Sequence, residues 1–220
     1  MSLEATHLRF SLAIKEDLGV IDLEKFVAGV IYPDSRYVTG IQRSLTHDLD
    51  YFVDRKNLSD FQKGWFSHIM GDKIFEEVME DKFGDMILFD EVGGRWPVIT
   101  AIKIIQDLED FFSFDIRSII DYLDYYEIHF REDERKVIAY SDIIKNLYKD
   151  KTKLTVEDYL LMWEKLGMNR ERLISVRKKI VEFYEDEKLI KNINENFADG
   201  MDLYEEKYRK SVRLYKDNIL

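Results

Sequence analysis

Apolar residues recur three and four positions apart along most of this chain, which is the spacing of an amphipathic helix. The predicted helices are a first helix ending at Gly19, a short one capped by Asp22 and running through Val30, one over 44–52, one from Asn57 or Ser59 to about Met79, and helices over 98–112, 115–128, 132–149, 155–166, 169–191 and 194–216. We predict irregular segments over residues 31–43 and 81–97, because both prolines of the chain and several glycines lie there. With so few turn-forming residues elsewhere, the sequence predicts an all-α fold.

The chain is long enough for one large domain. It has 220 residues, of which 45% are hydrophobic, so a sizeable core can be buried. The irregular segment ending at Pro97 would allow a boundary near residue 95, but no repeat or low-complexity linker separates the two parts. We predict one all-helical domain over residues 1–220, with its functional site within residues 1–80.

Charge and cysteine content restrict the possible functions. The formal net charge is −11, and an acidic surface repels phosphate backbones, so general nucleic-acid binding is disfavoured. The chain has no cysteine, so any metal must be held by His, Asp or Glu. The first residues are too charged for a signal peptide, and no stretch has the roughly 20 apolar residues of a membrane span. We therefore expect a cytoplasmic protein.

Three of the four histidines lie within the first 68 residues, where carboxylates accompany them. His68 and Asp72 are four positions apart in a helical stretch, so their side chains share one helix face. Together with Asp34 and His47 they would place two imidazoles and two carboxylates around one ion, and Asp72 could bridge to a second ion held by His7. This donor set suits zinc or another divalent transition metal.

Taken one at a time, these residues have simpler explanations. A His–Asp pair on one helix face is more often a hydrogen bond than a pair of metal ligands, and a loop residue such as Asp34 is commonly part of a turn. His7 and His47, each considered alone, would be ordinary residues at the edge of a core. No spacing connects His129 to the other histidines, and we expect it to be structural.

The order of these residues resembles a known pattern. In sequence, the chain carries His7, Pro33-Asp34, Thr46-His47 and Phe61-x-x-Gly64-x-x-x-His68-x-x-x-Asp72. This order is similar to that of the zinc-dependent phospholipase C family, whose all-helical fold is shared with the P1-type nucleases. The resemblance implies that Asp34, His47, His68 and Asp72 hold one zinc ion, and that His7 and Asp72 contribute to another. It also implies hydrolysis of a small phosphoester or a phospholipid.

The chain departs from the family pattern after the His-x-x-x-Asp helix. Family members carry further His and Glu ligands there, whereas the next histidine here is His129. A mononuclear or incomplete centre therefore stays open as an alternative. Arg36 and Arg43 lie near the expected ligands in the sequence, and we expect them to contact the phosphate oxygens of a substrate.

Two other functions also fit the sequence. His47-Asp48 is the dipeptide of the HD-type phosphohydrolases, in which His7 would be the upstream ligand and Asp107 or Asp110 the last one. Alternatively, the acidic and aromatic second half could form a non-catalytic helical interaction protein with a degenerate metal site. A long helix such as the one predicted over 169–191 could then pack against a second copy in a homodimer.

Overall fold

A computed structural model describes residues 3–53, 57–88 and 95–219. Within these ranges the chain forms helices and irregular connections, and it contains no strand. The α-helices are α1 Glu4–Ala13, α2 Leu23–Ile31, α3 Arg36–Thr39, α4 Arg43–Thr46, α5 Asp50–Val53, α6 Asp60–Leu88, α7 Arg95–Ser113, α8 Glu134–Tyr148, α9 Val156–Lys165, α10 Arg170–Glu185 and α11 Glu187–Ile219; short 3-10 helices cover Tyr32–Ser35, Ile116–Ser118 and Ile120–Asp124. The predicted all-α class is confirmed.

Side chains cap the starts of two predicted helices, and the cap predicted at Asp22 is confirmed. The Asp22 carboxylate accepts the Lys25 N–H at the start of α2. Thr155 and Asp158 form a reciprocal capping box at the start of α9, in which each side chain accepts the other residue's N–H. Each contact satisfies a backbone donor that the first helical turn leaves without an internal partner.

The region that supplies the candidate site differs from its prediction. Residues 31–43 are not a simple loop, because a 3-10 helix and α3 lie within them. The helix predicted over 44–52 is divided into α4 and α5, and the chain leaves helical geometry at His47. The first helix ends at Ala13, and only turns lead on to Gly19, which has a positive φ of 59°.

Two later predictions were wrong for identifiable reasons. Residues 115–128 form two short 3-10 helices, followed by a segment that begins with extended backbone at Tyr125, rather than one α-helix. The backbone leaves helical geometry at Tyr125, with φ −78° and ψ 143°, and just beyond this range the Glu132 carboxylate accepts the N–H groups of His129 and Phe130. The helix predicted over 169–191 breaks at Asp186, whose side chain accepts two N–H groups and starts α11. The helix predicted over 194–216 lies inside α11.

The irregular segment predicted over 81–97 is smaller than expected. Helix α6 continues through Leu88, and α7 already begins at Arg95. The rest of that prediction, residues 89–94, lies outside the described residues.

Helices α2 and α6 make the closest backbone contact of the site region. A Cβ added to Gly64 would lie 2.0 Å from the Phe26 carbonyl oxygen, and one added to Gly29 would lie 2.0 Å from the Phe61 carbonyl oxygen. Only glycine fits at both positions, and the two helices approach each other accordingly. The contact sets α2 directly against the first two turns of α6, one turn before His68.

Among the described helices, none combines the length and the low charge needed to cross a lipid bilayer.

Candidate metal centre

Four separate elements bring the five predicted ligand residues to one point. His7 comes from α1, Asp34 from the 3-10 helix after α2, and His47 from the C-terminal end of α4. His68 and Asp72 lie one turn apart on α6. The Asp34 and Asp72 carboxylates therefore face the imidazoles rather than pointing away from them.

One group of donor atoms lies around His47 and His68. The His47 Nε2 atom is 3.5 Å from Asp34 Oδ1 and 3.6 Å from Asp72 Oδ2. The His68 Nε2 atom is 3.9 Å from Asp34 Oδ2 and 4.0 Å from Asp72 Oδ2. Tetrahedral zinc with bonds near 2.0–2.1 Å keeps its donor atoms about 3.3 Å apart. The group is thus slightly wider than a zinc coordination shell and needs only a small contraction.

A second group of donor atoms shares residues with the first. His7 Nε2 lies 3.3 Å from Asp72 Oδ1, while the other Asp72 oxygen faces His47. The His7 ring stacks on the His68 ring with centroids 3.8 Å apart. His7, His68 and Asp72 form one possible metal-holding group, and Asp34, His47 and His68 form another. The two oxygens of Asp72 point to different groups, which is the arrangement of a bridging carboxylate.

Hydrogen bonds to the far side of the His47 and His68 imidazoles orient these two rings. His68 Nδ1 lies 2.7 Å from the Val30 carbonyl oxygen. A carbonyl can only accept, so Nδ1 carries the proton and the lone pair of a neutral His68 is on Nε2. His47 Nδ1 lies 2.8 Å from the Thr46 hydroxyl, and Trp65 donates to the Thr46 carbonyl. Such outer partners are typical of metal-binding histidines.

The protein buries the charge of this cluster. The side chains of Asp34, His68 and Asp72 are all at most 7% exposed. Burial lowers the pKa of His68 well below its ordinary value, and the neighbouring His7 adds to the effect. Burial alone would raise the pKa of Asp34, but the His47 and His68 imidazoles hold it at about 2. The pKa of Asp72 is likewise held well below its ordinary value, against the effect of burial, with contributions from the neighbouring His7 and His68 imidazoles.

The donor set fits a divalent cation. His68 Nε2, His47 Nε2 and Asp34 Oδ1 are buried and have no hydrogen-bond partner in the described part of the chain. A lone pair on His68 Nε2 and two carboxylates are all electron-pair donors, and burying them together without a proton or a cation is costly. Nitrogen and oxygen donors without sulfur suit zinc and similar divalent ions.

The two predicted substrate-binding arginines flank the cluster in different ways. Arg36 is mostly buried, with Nε 3.5 Å from Asp34 Oδ1, and it stacks on Tyr37. Arg43 is half-exposed, with Nη2 3.5 Å from Asp72 Oδ2. Arg36 is therefore suited to orienting Asp34, whereas Arg43 can reach from the cluster toward a ligand in solvent.

Two adjoining clefts lie beside the cluster, and the first of them is lined by Asp34. The first has a volume of about 440 Å³ and is lined by Leu3, Glu4, Asp34, Tyr37, Trp96, Thr100, Lys103, Trp163, Leu166, Gly167, Met168, Asn169 and Arg172. The second has a volume of about 540 Å³ and includes Arg43. Trp96, Thr100 and Lys103 line both clefts. A ligand at the cluster would thus meet an aromatic wall and a lysine.

Lys103 and Glu4 are cleft residues that were not predicted from the sequence. Burial lowers the pKa of Lys103 to about 8. Glu4 precedes His7 by three positions and so shares its face of α1, which is the one signal that could have identified it. No comparable spacing marks Lys103, which reaches the cluster from α7.

A separate buried network fixes α1 in place. Asp107 Oδ1 accepts the Thr6 N–H at 2.8 Å, and Asp107 Oδ2 accepts the hydroxyls of Tyr148 at 2.8 Å and Tyr159 at 2.6 Å. The neighbouring Asp110 accepts from Thr6 Oγ1 at 2.7 Å. Because Thr6 is next to His7, this network determines where the His7 ring lies.

The other acidic and histidine candidates lie apart from the cluster. Asp48 is exposed and accepts the Asp50 N–H. Neither Asp107 nor Asp110 belongs to either donor group. His129 stacks on Phe61 and lies 3.1 Å from the Glu127 carboxylate. It packs against the aromatic core rather than facing the cluster.

Searches against protein-family models, curated proteins and solved structures find nothing that matches this chain.

Proposed function

We propose that this chain is a metal-dependent phosphoester hydrolase with a fold and centre like those of zinc-dependent phospholipase C. The observation that carries the proposal is the convergence of His7, Asp34, His47, His68 and Asp72, which come from four elements and form two overlapping groups of buried donor atoms. The order of these residues in the sequence resembles that of the family. Zinc or another divalent transition metal is the proposed cofactor.

The protein's own residues would hold the metal and position the substrate. Asp34, His47, His68 and Asp72 would bind one ion, and His7 and Asp72 would contribute to a second. A divalent ion there supplies the polarisation of a phosphoryl oxygen and lowers the pKa of a water molecule to about 7.

Charged side chains at the rim would bind the phosphoryl group. Arg43 and Lys103 line the second cleft, where their cationic groups can contact the non-bridging phosphate oxygens. Arg36 would act indirectly by holding Asp34 in place. The walls formed by Tyr37, Trp96 and Trp163 would exclude water and contact the organic part of a small phosphoester or a phospholipid.

The HD-type alternative has less support. It requires Asp48 to bind metal together with His47 and a distant Asp. Asp48 is exposed and engaged with the Asp50 N–H, while Asp107 is engaged by Thr6 and two tyrosines. The donor groups instead include Asp34 and Asp72.

Metal analysis of protein purified without a histidine tag tests the proposal. The wild type and His68→Ala should be equilibrated with zinc, freed of excess ion and measured by mass spectrometry. His129→Ala is the matched control, since it removes a histidine that packs outside the cluster. We expect His68→Ala to bind zinc at least about tenfold more weakly and His129→Ala to match the wild type.

Activity should be measured on the same preparations with aryl phosphate monoesters and diesters. Zinc-dependent hydrolysis by the wild type, lost in His68→Ala, supports the proposed function. Equal zinc content in the wild type and His68→Ala rejects the ligand role of His68. No bound metal and no change in melting with a chelator would favour the non-catalytic interaction protein.

A further inference from the structure

The first cleft contains a buried carboxyl group with no role in the donor groups. Glu4, in the first turn of α1, is 7% exposed and lines this cleft together with Asp34. The Tyr140 hydroxyl lies 3.3 Å from Glu4 Oε1. The second oxygen, Oε2, has no hydrogen-bond partner within the described ranges. Buried polar atoms rarely lack a partner, and a catalytic role is one explanation for those that do.

The surroundings of Glu4 favour its protonated form. Burial, followed by the negative charges of Asp107 and Asp34, raises the pKa of Glu4 to about 8. The carboxyl group is therefore neutral at pH 7 and has a proton to donate. A carboxylic acid whose pKa is raised by burial can act as a general acid near neutral pH.

The cleft places this acid on one side of the cluster. Glu4 and Asp34 lie on the first cleft, whereas Arg43 lies on the second. A phosphoryl group held at the cluster and by Arg43 would leave its organic substituent in the first cleft, along the aromatic wall of Tyr37 and Trp96. The oxygen that joins this substituent to phosphorus would then lie at the entrance to the cleft that Glu4 and Asp34 line.

We propose that Glu4 is the general acid of the hydrolysis, donating its carboxyl proton to the oxygen of the departing alcohol. This inference rests on the proposed phosphoester hydrolase function. As the water oxygen bonds to phosphorus, the bond between phosphorus and the ester oxygen breaks, and its electron pair stays on that oxygen. Glu4 protonates the oxygen to give the free alcohol and becomes a carboxylate. The proton lost by the attacking water returns Glu4 to its acid form through solvent, so no other reactant is consumed.

The test compares two esters that differ in how much their leaving group needs a proton. p-Nitrophenyl phosphate releases a weakly basic phenolate, whereas benzyl phosphate, of similar size, releases a strongly basic alkoxide. Their rates should be measured with zinc-loaded wild type and Glu4→Gln, which keeps the shape of the side chain but has no acidic proton. If the protein acts only on diesters, the corresponding methyl diesters are used.

We expect the ratio of the benzyl rate to the p-nitrophenyl rate to fall by about 100-fold in Glu4→Gln, because general acid catalysis contributes that much when the leaving group is basic. Glu4→Asp, which keeps an acid, should retain more of the ratio. Glu16→Gln is the matched control, since Glu16 is 92% exposed, and it should keep the wild-type ratio. Zinc content and the affinity for inorganic phosphate, measured by calorimetry, should be the same in Glu4→Gln as in the wild type.

The outcomes separate this inference from the proposed function. An unchanged rate ratio in zinc-loaded Glu4→Gln overturns the acid role and leaves the hydrolase proposal standing. Loss of zinc or of phosphate binding in Glu4→Gln also overturns it, because Glu4 would then support the site rather than donate a proton. If the wild type hydrolyses neither the two monoesters nor the corresponding diesters, the hydrolase proposal fails and this inference fails with it.

Discussion

Replacement of Gly64 by alanine tests whether the close contact between α2 and α6 positions the cluster. The new methyl group would lie 2.0 Å from the Phe26 carbonyl oxygen, 2.9 Å from Val30 N and 3.0 Å from the Phe26 carbonyl carbon. All three are backbone atoms, so no side chain can turn aside to make room. The two helices must separate instead.

The size of the effect follows from these distances. Side-chain Cβ atoms essentially never come closer than 3.0 Å to another heavy atom, so the helices must part by about 1 Å. A parallel shift would lengthen the bond from His68 Nδ1 to the Val30 carbonyl, now 2.7 Å, to about 3.7 Å, which is too long for a hydrogen bond. Overpacking and the loss of this buried bond together cost about 3–5 kcal/mol.

Thermal unfolding and zinc affinity measure the two consequences. A chain of this length loses roughly 2–4 °C of melting temperature per kcal/mol, so Gly64→Ala should melt about 10 °C or more below the wild type. Its zinc affinity, measured by chelator competition, should fall at least about tenfold, because His68 is no longer oriented.

Gly84→Ala provides a control on the same helix. A Cβ at Gly84 meets only the Glu80 carboxylate, at 4.0 Å. The higher helix propensity of alanine should stabilise this variant by up to about 1 kcal/mol and leave zinc binding unchanged. If Gly64→Ala melts and binds zinc like Gly84→Ala, the α2–α6 contact does not position the site and this reasoning is wrong.

Two further outcomes are expected. Asp72→Asn should retain less zinc after dialysis than Asp34→Asn, because Asp72 faces both donor groups and Asp34 faces one. If mass spectrometry shows that Asp34→Asn retains less zinc than Asp72→Asn, the bridging role of Asp72 is contradicted. Glu4 has a pKa of about 8 in the folded chain against 4.5 when unfolded, so the folded state keeps a proton that the unfolded state releases. The free energy of unfolding should therefore fall by up to about 3 kcal/mol as the pH rises from about 5.5 to 8. In urea unfolding, Glu4→Gln should lose much of this slope, and a slope equal to that of the wild type would show that Glu4 is not protonated in the fold.

Local sequence signals were sufficient for the parts of the fold that depend on neighbouring residues. Helical periodicity and the capping residue Asp22 predicted helices that the structure contains. The same periodicity is present in residues 116–123, where Ile116, Ile119, Ile120 and Leu123 are all buried, yet these residues form 3-10 turns. Periodicity reports which side faces the core and does not distinguish one helical geometry from another.

The residues of the candidate site were partly accessible from sequence. His68 and Asp72 could be paired because a single helix face holds them, and the family order suggested His7, Asp34 and His47. The structure brings these side chains together, while their binding of metal stays a prediction. Lys103 and the Asp107 network depend on how α7 packs on α1, which no local spacing encodes. The break at Asp186 was missed because its capping role competes with a continuous amphipathic pattern.

The hydrogen bonds that hold α1 have a consequence for biosynthesis. Asp34, His47, His68 and Asp72 span only 39 positions of the chain, and they are oriented by α2 and α6, which are translated early. His7 is made first, but its helix is secured by Asp107, Tyr148 and Tyr159, which leave the ribosome much later. The order of translation therefore separates the two donor groups in time. The group that contains His7 is completed last, although His7 itself is translated first.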